Sequence, residues 1–334
     1  MGDFSLLSAF ELPWDEQRHG HASEHARSCE ERAMLYGLID GADDDLDTRR
    51  FRAFVQLDAF VYPYASLERL SVVGGFNQWL YFLDDQYDDH PESHRDLEAI
   101  RSIMERGVDL LCGAPLQVKP TPFERYSRAY RRELAALIPP GFFERFVKNV
   151  KEYLFEGSLV GLGHWLRRET LSVDSYIELR ALDSGVYPVI DCIEIAADLS
   201  LPKEVLQGRE LAQMVHAAVR HVALANDVFS FEKETLQNGS TVNLVHVLQL
   251  RENRSIESAA QRAADIVNGY TRAFQSLEQR LPRYEPQIEA GVRAYVHGMK
   301  TWMRGNVDFS LQSQRFRSST SPFKELTIAP AKSA

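Results

Sequence analysis

Hydrophobic residues recur along this chain mainly at steps of three and four positions, the spacing of an α-helix with one buried face. The stretch 68–89 shows this spacing with Leu70, Val73 and Phe76. Five further windows repeat it: 25–39, 142–154, 206–231, 256–281 and 288–307. Strict alternation of apolar and polar positions, the pattern of a half-buried strand, is hard to find. The pattern therefore predicts an all-α protein.

Prolines stand between these windows, where they are expected to end helices. They are Pro63, Pro91, Pro115, Pro120, Pro122, Pro139, Pro140, Pro202, Pro282 and Pro322. The short connections that remain suit antiparallel helices packed in one bundle. No repeat, linker or shift in composition separates two domains, so we expect one helical domain over 23–316. Residues 1–22 would be an N-terminal segment, and 317–334, rich in Ser, Thr, Pro and Lys, a flexible tail.

The overall charge restricts the partners. With a net charge of −10, the chain is not expected to bind nucleic acid or an anionic membrane. No apolar run is long enough to span a membrane, and the N-terminus lacks the pattern of a signal peptide. The three cysteines are scattered and odd in number, which favours a reducing compartment. We therefore expect a cytoplasmic protein.

An acidic motif, Leu-Asp-Asp-Gln-Tyr-Asp-Asp-His, closes the apolar helix predicted over 68–89. Asp84 and Asp88 are four residues apart, so they differ by about 40° around the helix and share a face. Asp85 and Asp89 repeat the arrangement one position on. Each pair of like charges at this spacing costs about 0.2–0.5 kcal/mol of helix stability. Negative charges at the C-terminal end of a helix also oppose its dipole. Carboxylates placed against these costs indicate a site for a hard cation such as Mg²⁺, with Asp84 and Asp88 as ligands.

A second acidic patch has a simpler explanation. Asp43, Asp44, Asp45 and Asp47 follow Gly41 in a predicted loop and precede a predicted helix. Acidic residues there cap the helix and complement its dipole. We leave this patch out of the candidate site.

The sequence Asn-Asp-Val-Phe-Ser-Phe-Glu-Lys-Glu forms a second candidate metal motif, about 140 residues after the first. Asn226, Ser230 and Glu234 are spaced by four and therefore lie on one helix face. An amide oxygen, a hydroxyl and a carboxylate suit one Mg²⁺ that is also held by phosphate. Lys233 offers a positive charge for a phosphate oxygen.

Together the two motifs resemble the bacterial class I terpene synthases, whose metal sites are an Asp-Asp-x-x-Asp box and an Asn/Ser/Glu triad with Lys before the Glu. The segment Phe10-Glu11-Leu12-Pro13-Trp14 also resembles the usual opening of this family, so the similarity spans nearly the whole chain. The resemblance implies a single-domain class I terpenoid synthase helical bundle with a central active-site cavity. It also implies three Mg²⁺ ions, a prenyl diphosphate substrate and cyclisation of a carbocation with release of diphosphate.

The resemblance extends to residues between and after the motifs. The segment Arg180-Ala181-Leu182-Asp183-Ser184-Gly185 is similar to the family's effector segment at a broken helix. By this likeness Arg180 senses the diphosphate, Asp183 links to it and Ser184 presents its carbonyl to the ionising carbon. Arg315 stands where the family has an arginine that binds diphosphate. Phe316 replaces the tyrosine that usually follows.

Aromatic side chains are expected to wall the cavity, because their faces stabilise carbocations. Phe76 is the preferred candidate, since it lies eight residues before Asp84. The other candidates are Trp79, Phe60, Tyr187 and Trp302.

Several alternatives remain open on the sequence. Farnesyl diphosphate is the expected substrate, on family frequency, with geranylgeranyl diphosphate and a diterpene product as the alternative. A chain-elongating prenyltransferase would need a second Asp-rich box, and the Asn/Ser/Glu triad in that place favours cyclisation. A ferritin-like di-iron bundle is excluded, because it would need two Glu-x-x-His pairs and the sequence has only one, Glu16 to His19. A helical binding protein without activity would not need both metal motifs intact. Members of the family often dimerise, so a homodimer is also kept open.

Overall fold

The computed structural model describes residues 4–88 and 96–328, without the side chains of residues 87 and 88. In these ranges the chain is helical and contains no β-strand. The α-helices are α1 Leu6–Ala9, α2 Ala22–Tyr36, α3 Leu46–Phe54, α4 Leu57–Val61, α5 Leu67–Asp88, α6 Leu97–Leu111, α7 Pro122–Leu137, α8 Phe142–Lys151, α9 Leu159–Leu166, α10 Val173–Leu182, α11 Val186–Asp191, α12 Ile193–Ala196, α13 Lys203–Leu206, α14 Arg209–Phe231, α15 Leu244–Glu252, α16 Ile256–Glu278 and α17 Pro286–Gln312. The all-α prediction is confirmed.

All six windows of helical spacing contain a helix, namely α2, α5, α8, α14, α16 and α17. Polar side chains cap several of the helices, as the loop composition predicts. Asp45 accepts a hydrogen bond from the backbone of Thr48 at the start of α3, which confirms that this acidic patch caps a helix. Thr121 caps α7 in the same way, with Pro122 in its first turn.

Helix α14 lies inside the bundle. It packs against α16, α17, α10 and α15, and its last eleven residues are buried except Asn226. One apolar cluster runs from α2 and α5 to the first half of α14, and a second surrounds its C-terminal half. Asn226 and Ser230 therefore lie on a helix that is itself inside the core of the protein. Within the described ranges, no helix is both long enough and apolar enough to cross a membrane.

Two irregular segments shape the region around the predicted effector sequence. Helix α10 ends at Leu182, Gly185 adopts a left-handed conformation with φ of 65°, and α11 begins at Val186. A π-helical segment at 152–158 passes this break so closely that a Cβ on Gly157 would lie 2.6 Å from the backbone nitrogen of Asp183. Only glycine permits this approach. The predicted interruption of the helix is confirmed.

The terminal segments pack together. In the N-terminal segment Leu6 and Phe10 are buried, and Asn268 of α16 donates to the carbonyl of Ala9. After α17, Phe323 and Leu326 are buried in the second apolar cluster. Residues 317–328 are thus packed rather than a free tail, because two apolar side chains within a polar segment anchor it. The remainder, 329–334, lies outside the described residues.

Candidate active site

A cavity of about 1350 Å³ opens between the helices that carry the two motifs. Its wall includes residues from α5, from the α10–α11 break, from α14 and from α17. Polar and charged side chains from both motifs line it together with apolar residues such as Leu80, Val189 and Ala223. Motifs about 140 residues apart in sequence therefore share one cavity.

The first motif contributes Asp84 and Asp85 to the cavity wall. The hydroxyl of Tyr153 donates to both carboxylate oxygens of Asp84, at 3.1 and 3.2 Å. Burial, and then the negative charge of Asp84, raise the pKa of Tyr153 well above its usual value, so this tyrosine remains a neutral donor. The side chain of Asp88 and the whole of Asp89 lie outside the described residues.

The second motif contributes Asn226 and Glu234 to the cavity, with Ser230 buried between them on the same stretch of chain. The Ser230 hydroxyl oxygen is enclosed and makes no well-formed hydrogen bond within the described ranges, although it lies close enough to Glu234 to lower the pKa of that carboxyl. The carboxylate of Glu234 accepts from the Asn243 amide at 3.1 Å. Burial raises the pKa of Glu234, and the nearby Arg180 opposes that rise. A buried hydroxyl without a well-formed hydrogen bond, next to a partly buried carboxylate, fits a site that is completed by a cation.

Arg180 joins the second motif to the broken helix. Its guanidinium donates to the carboxylate of Asp227 at 2.7 Å, to the backbone carbonyl of Asp183 at 2.6 Å and to the Asn226 side chain at 3.3 Å. Burial works against the charged form of Arg180. The adjacent Asp227, followed by Tyr176, favours it, so the pKa stays well above the usual value. Arg180 is thus a fixed positive charge on the cavity wall.

Asp227 is a residue that the sequence reasoning missed. Its side chain is fully buried and also accepts from the Tyr176 hydroxyl at 2.5 Å and from the backbone of Leu244 at 3.0 Å. The signal that could have revealed it is an aspartate directly after Asn226 within an apolar helix. A buried carboxylate requires a positive partner, and Arg180 meets this need.

The effector segment lies at the cavity with its side chains held in place. Ser184 lines the cavity and donates to the carbonyl of Ala181 at 3.2 Å. Asp183 accepts from the Ser158 hydroxyl at 2.8 Å. A Cβ on Gly161 would lie 2.7 Å from the Asp183 carboxylate, so this side chain too is packed against a glycine.

Lys233 and Arg315 also line the cavity, as do Arg50 and Arg168, which the sequence reasoning did not identify. The guanidinium of Arg315 lies 5.7 Å from the centre of the Phe54 ring. Its neighbour Phe316 packs against Phe229 and Phe309 instead of offering a hydroxyl. Cationic side chains from four separate parts of the chain therefore face the same space, which only the tertiary fold reveals.

The expected aromatic wall needs correction. Of the five candidates only Trp302 lines this cavity. Phe76 and Trp79 are fully buried in the core, where the Phe76 ring lies 4.6 Å from that of Phe146. Eight residues correspond to about 80° around a helix, whereas seven and four correspond to about 20° and 40°. Asn77 and Leu80, at seven and four residues before Asp84, accordingly face the cavity with it, and Tyr81 and Asp85 of α5 also line the wall.

Phe60 and Tyr187 also lie elsewhere. Phe60 lines a smaller surface pocket of about 510 Å³ and stacks under the guanidinium of Arg18. The Tyr187 hydroxyl pairs with His216 at 2.6 Å, near the protein surface. The aromatic residues that do line the cavity are Phe54, Tyr81, Tyr153, Trp165, Trp302, Phe309 and Phe316.

The donor set suits Mg²⁺. The candidate ligands from both motifs offer only oxygen atoms, from carboxylates, an amide and a hydroxyl, which are the atoms that a hard cation prefers. The Ser230 oxygen, which makes no well-formed hydrogen bond to the described residues, is the local sign that the set is incomplete without an ion. Asp84 and Asp85 on one wall and Asn226, Ser230 and Glu234 on another fit such a group.

Comparison with known proteins agrees with this geometry. The family model described as terpene synthase family 2, C-terminal metal binding, matches residues 75–273. The chain is 29% identical over 299 residues to 10-epi-cubebol synthase of Sorangium cellulosum, covering 89% of this chain and 94% of the relative. It is 28% identical over 314 residues to (+)-T-muurolol synthase of Roseiflexus castenholzii, covering 93% and 95%.

Solved structures show the same fold. The crystal structure of germacradien-4-ol synthase from Streptomyces citricolor superposes with a TM-score of 0.75 at 21% identity, over 92% of this chain and 99% of that one. The single-domain all-α class I terpenoid fold expected from the sequence is confirmed. The matched family segment contains Asp84, Arg180, Asn226, Ser230 and Glu234. The chain belongs to the metal-binding terpene synthase family 2 and is a terpene synthase.

Proposed function

We propose that this terpene synthase is a Mg²⁺-dependent cyclase that ionises farnesyl diphosphate and folds the resulting carbocation into a sesquiterpene. The observation that carries the proposal is the meeting of both oxygen-donor motifs and several cationic side chains around one cavity that is otherwise largely apolar. Three Mg²⁺ ions, held by Asp84, Asp88, Asn226, Ser230 and Glu234, would neutralise the diphosphate and make it a good leaving group.

The chain's own residues would bind and orient the diphosphate. Arg180, Lys233 and Arg315 line the cavity and supply fixed positive charges for its oxygens. The hydrogen bond from Arg180 to the Asp183 carbonyl connects the binding of diphosphate to the broken helix. Ser184, one residue further on, would then turn its carbonyl toward the carbon where positive charge develops.

The apolar part of the cavity would hold the hydrocarbon chain and keep bulk water from the carbocation. Leu80, Val189, Val222 and Trp302 lie in this part of the wall. The ring of Trp302, held edge-on by Tyr62 at 5.4 Å, would place an aromatic surface beside the passing cation. Diphosphate, once released, would accept the final proton.

Several relatives support a C15 substrate. The Roseiflexus relative is named as cyclising (2E,6E)-farnesyl diphosphate, and a relative from Cyclocybe aegerita is named a sesquiterpene synthase. The second motif is an Asn/Ser/Glu triad rather than a second Asp-rich box, which favours cyclisation over chain elongation.

The test is to incubate the purified chain and Mg²⁺ separately with the C10, C15 and C20 prenyl diphosphates and to identify volatile products by mass spectrometry. We expect a cyclic product predominantly from the C15 substrate. Predominant turnover of the C20 substrate would assign a diterpene cyclase instead. A longer linear diphosphate formed when isopentenyl diphosphate is added would assign a prenyltransferase.

A further inference from the structure

Two buried amide side chains interrupt the apolar inner wall of the cavity. Asn77 on α5 and Asn306 on α17 both line it, and they are only 2% and 5% exposed. Asn77 lies seven residues before Asp84, so it is about 10 Å deeper along the helix than the first metal motif. Asn77 is therefore too deep to serve as a diphosphate ligand beside Asp84.

The amide of Asn77 has a fixed orientation. Its nitrogen donates to the Asp58 carboxylate at 2.6 Å, and the other oxygen of Asp58 pairs with the ring of His25 at 2.8 Å. Asp58 and His25 are both 1% exposed. Because a carboxylate only accepts hydrogen bonds, the nitrogen of Asn77 must face Asp58, and its amide oxygen points the other way.

The buried pair behind Asn77 is closely packed. A Cβ on Gly74 would lie 2.8 Å from the His25 ring, so glycine is needed where α5 passes the pair. A buried Asp–His pair costs desolvation free energy, and apolar residues of similar size would fill the space equally well. The distinct effect of the Asp58–His25 pair in this fold is to hold the Asn77 amide in one orientation.

Asn306 on α17 is also held through its amide nitrogen, in this case by α14. Its nitrogen donates to the carbonyl of Val222 at 3.3 Å, which leaves the amide oxygen for the cavity. Helix α17 approaches α4 so closely beside Asn306 that a Cβ on Gly305 would be within 2.7 Å of the carbonyl carbon of Phe60. Two amide oxygens are thus fixed by rigid helices within a hydrocarbon-lined space.

A hydrocarbon substrate cannot donate a hydrogen bond to these oxygens, and leaving buried acceptors unpaired is unfavourable. A water molecule has two hydrogens to donate and can pair with amide oxygens of this kind. We propose that Asn77, together with Asn306, holds one water in the inner cavity and directs it onto a late carbocation, so that the main product is a terpene alcohol. This inference rests on the proposed cyclase function and adds the class of product.

The step balances without a further reactant. A lone pair of the held water forms the C–O bond to the cationic carbon, and the oxonium loses one proton to the released diphosphate. No bond of the carbon skeleton breaks, and no atom is oxidised or reduced. Water held at a fixed point deep in the cavity adds to a cation formed late, after the chain has cyclised, rather than to the carbon first ionised beside Asp84.

The test is turnover of farnesyl diphosphate with Mg²⁺ in ¹⁸O-labelled water, with products analysed by mass spectrometry and diphosphate release measured separately. The wild-type chain should give mainly an alcohol that carries ¹⁸O. In Asn77→Leu the ratio of alcohol to hydrocarbon should fall at least about tenfold, while diphosphate release stays within about threefold. Asn306→Leu should shift the ratio in the same direction, which provides a second readout if Asn77→Leu does not fold.

Gln78→Leu is the matched control. Gln78 is the adjacent amide on α5 and is fully buried, but it does not line the cavity, so the ratio of products should not change. Diphosphate release with only hydrocarbon product from the wild-type chain would overturn the inference and leave the cyclase proposal intact. An unchanged ratio in the folded Asn variants would also overturn it. Absence of diphosphate release from any prenyl diphosphate would instead overturn the proposed function.

Discussion

At the residue scale, Asp227 connects three helices of the site. Its buried carboxylate pairs with Arg180 and Tyr176 and caps the backbone at Leu244, so it joins α10, α14 and α15. The second metal motif predicts roles for Asn226 and Ser230 but none for Asp227, because a single buried carboxylate has no characteristic spacing in the sequence. What identifies it is the positive partner that burial demands.

We predict that Asp227→Asn lowers the free energy of unfolding by about 3–5 kcal/mol, because it leaves the Arg180 charge without its buried partner. Denaturation with urea measures this change. The matched control is Glu178→Gln, which breaks the pair with Arg220 on a side chain that is 70% exposed. That change should stay within about 1 kcal/mol. Equal effects of the two substitutions would contradict the buried role of Asp227.

His221 makes a prediction about pH. It is fully buried on α14, neither ring nitrogen has a partner within the described ranges, and burial lowers its pKa from 6.5 to about 3. Below pH 6.5 the unfolded chain therefore takes up a proton that the folded protein refuses, so stability falls as pH decreases.

His221→Leu should remove this contribution. Relative to the variant, the wild-type protein should lose about 2 kcal/mol of unfolding free energy between pH 7.5 and pH 5. Urea denaturation at several pH values checks it, because carboxylates that titrate in the same range cancel in the difference. A difference between the two proteins that is constant across this range would contradict a buried neutral histidine.

At the scale of elements, the helix break depends on a glycine in a neighbouring segment. Gly157 lies in the π-helical segment at 152–158, and a Cβ there would be 2.6 Å from both the Leu182 carbonyl carbon and the Asp183 nitrogen. Backbone atoms cannot move aside as a flexible side chain does. The π-helical segment and the break between α10 and α11 therefore form one packed unit.

Gly157→Ala should lower the unfolding free energy by about 1–3 kcal/mol, because the added Cβ pushes against the backbone of the break. It should also reduce turnover, because Arg180 and Ser184 move with the break. Gly269→Ala is the control, since a Cβ at this helical position of α16 would meet nothing within 4 Å. That variant should keep full activity and gain stability slightly. Full activity of Gly157→Ala would show that the break does not need this contact. Thermal unfolding and steady-state kinetics measure both effects.

At the scale of the whole molecule, the sequence alone predicts the features that depend on the local spacing of residues. The helix windows and the cap at Asp45 follow from periodicity and residue type, and the interruption near Gly185 follows from the family resemblance. The structure confirms all three. The pattern of two oxygen-rich motifs also led to the correct family.

Features that depend on distant contacts could not be predicted in the same way. Arg50 and Arg168 reach the cavity only because of the tertiary fold. Phe76 faces the core rather than the cavity, because eight residues exceed two helical turns by about 80°. The segment 317–328 looked like a tail because its polar residues outnumber Phe323 and Leu326, the two that anchor it.

The central claim is that two metal motifs act on one diphosphate in one cavity. The most direct test is the rate of diphosphate release from farnesyl diphosphate as a function of Mg²⁺ concentration, for the wild-type chain, Asp84→Asn and Asn226→Leu. Each substitution should lower the rate at least about 100-fold and raise the Mg²⁺ concentration for half-maximal rate, since each removes a ligand of the same cluster. Combining them should add little, because residues that act as a unit are not additive. Release that persists at the wild-type rate in either variant, or without Mg²⁺ in the presence of a chelator, would contradict the account.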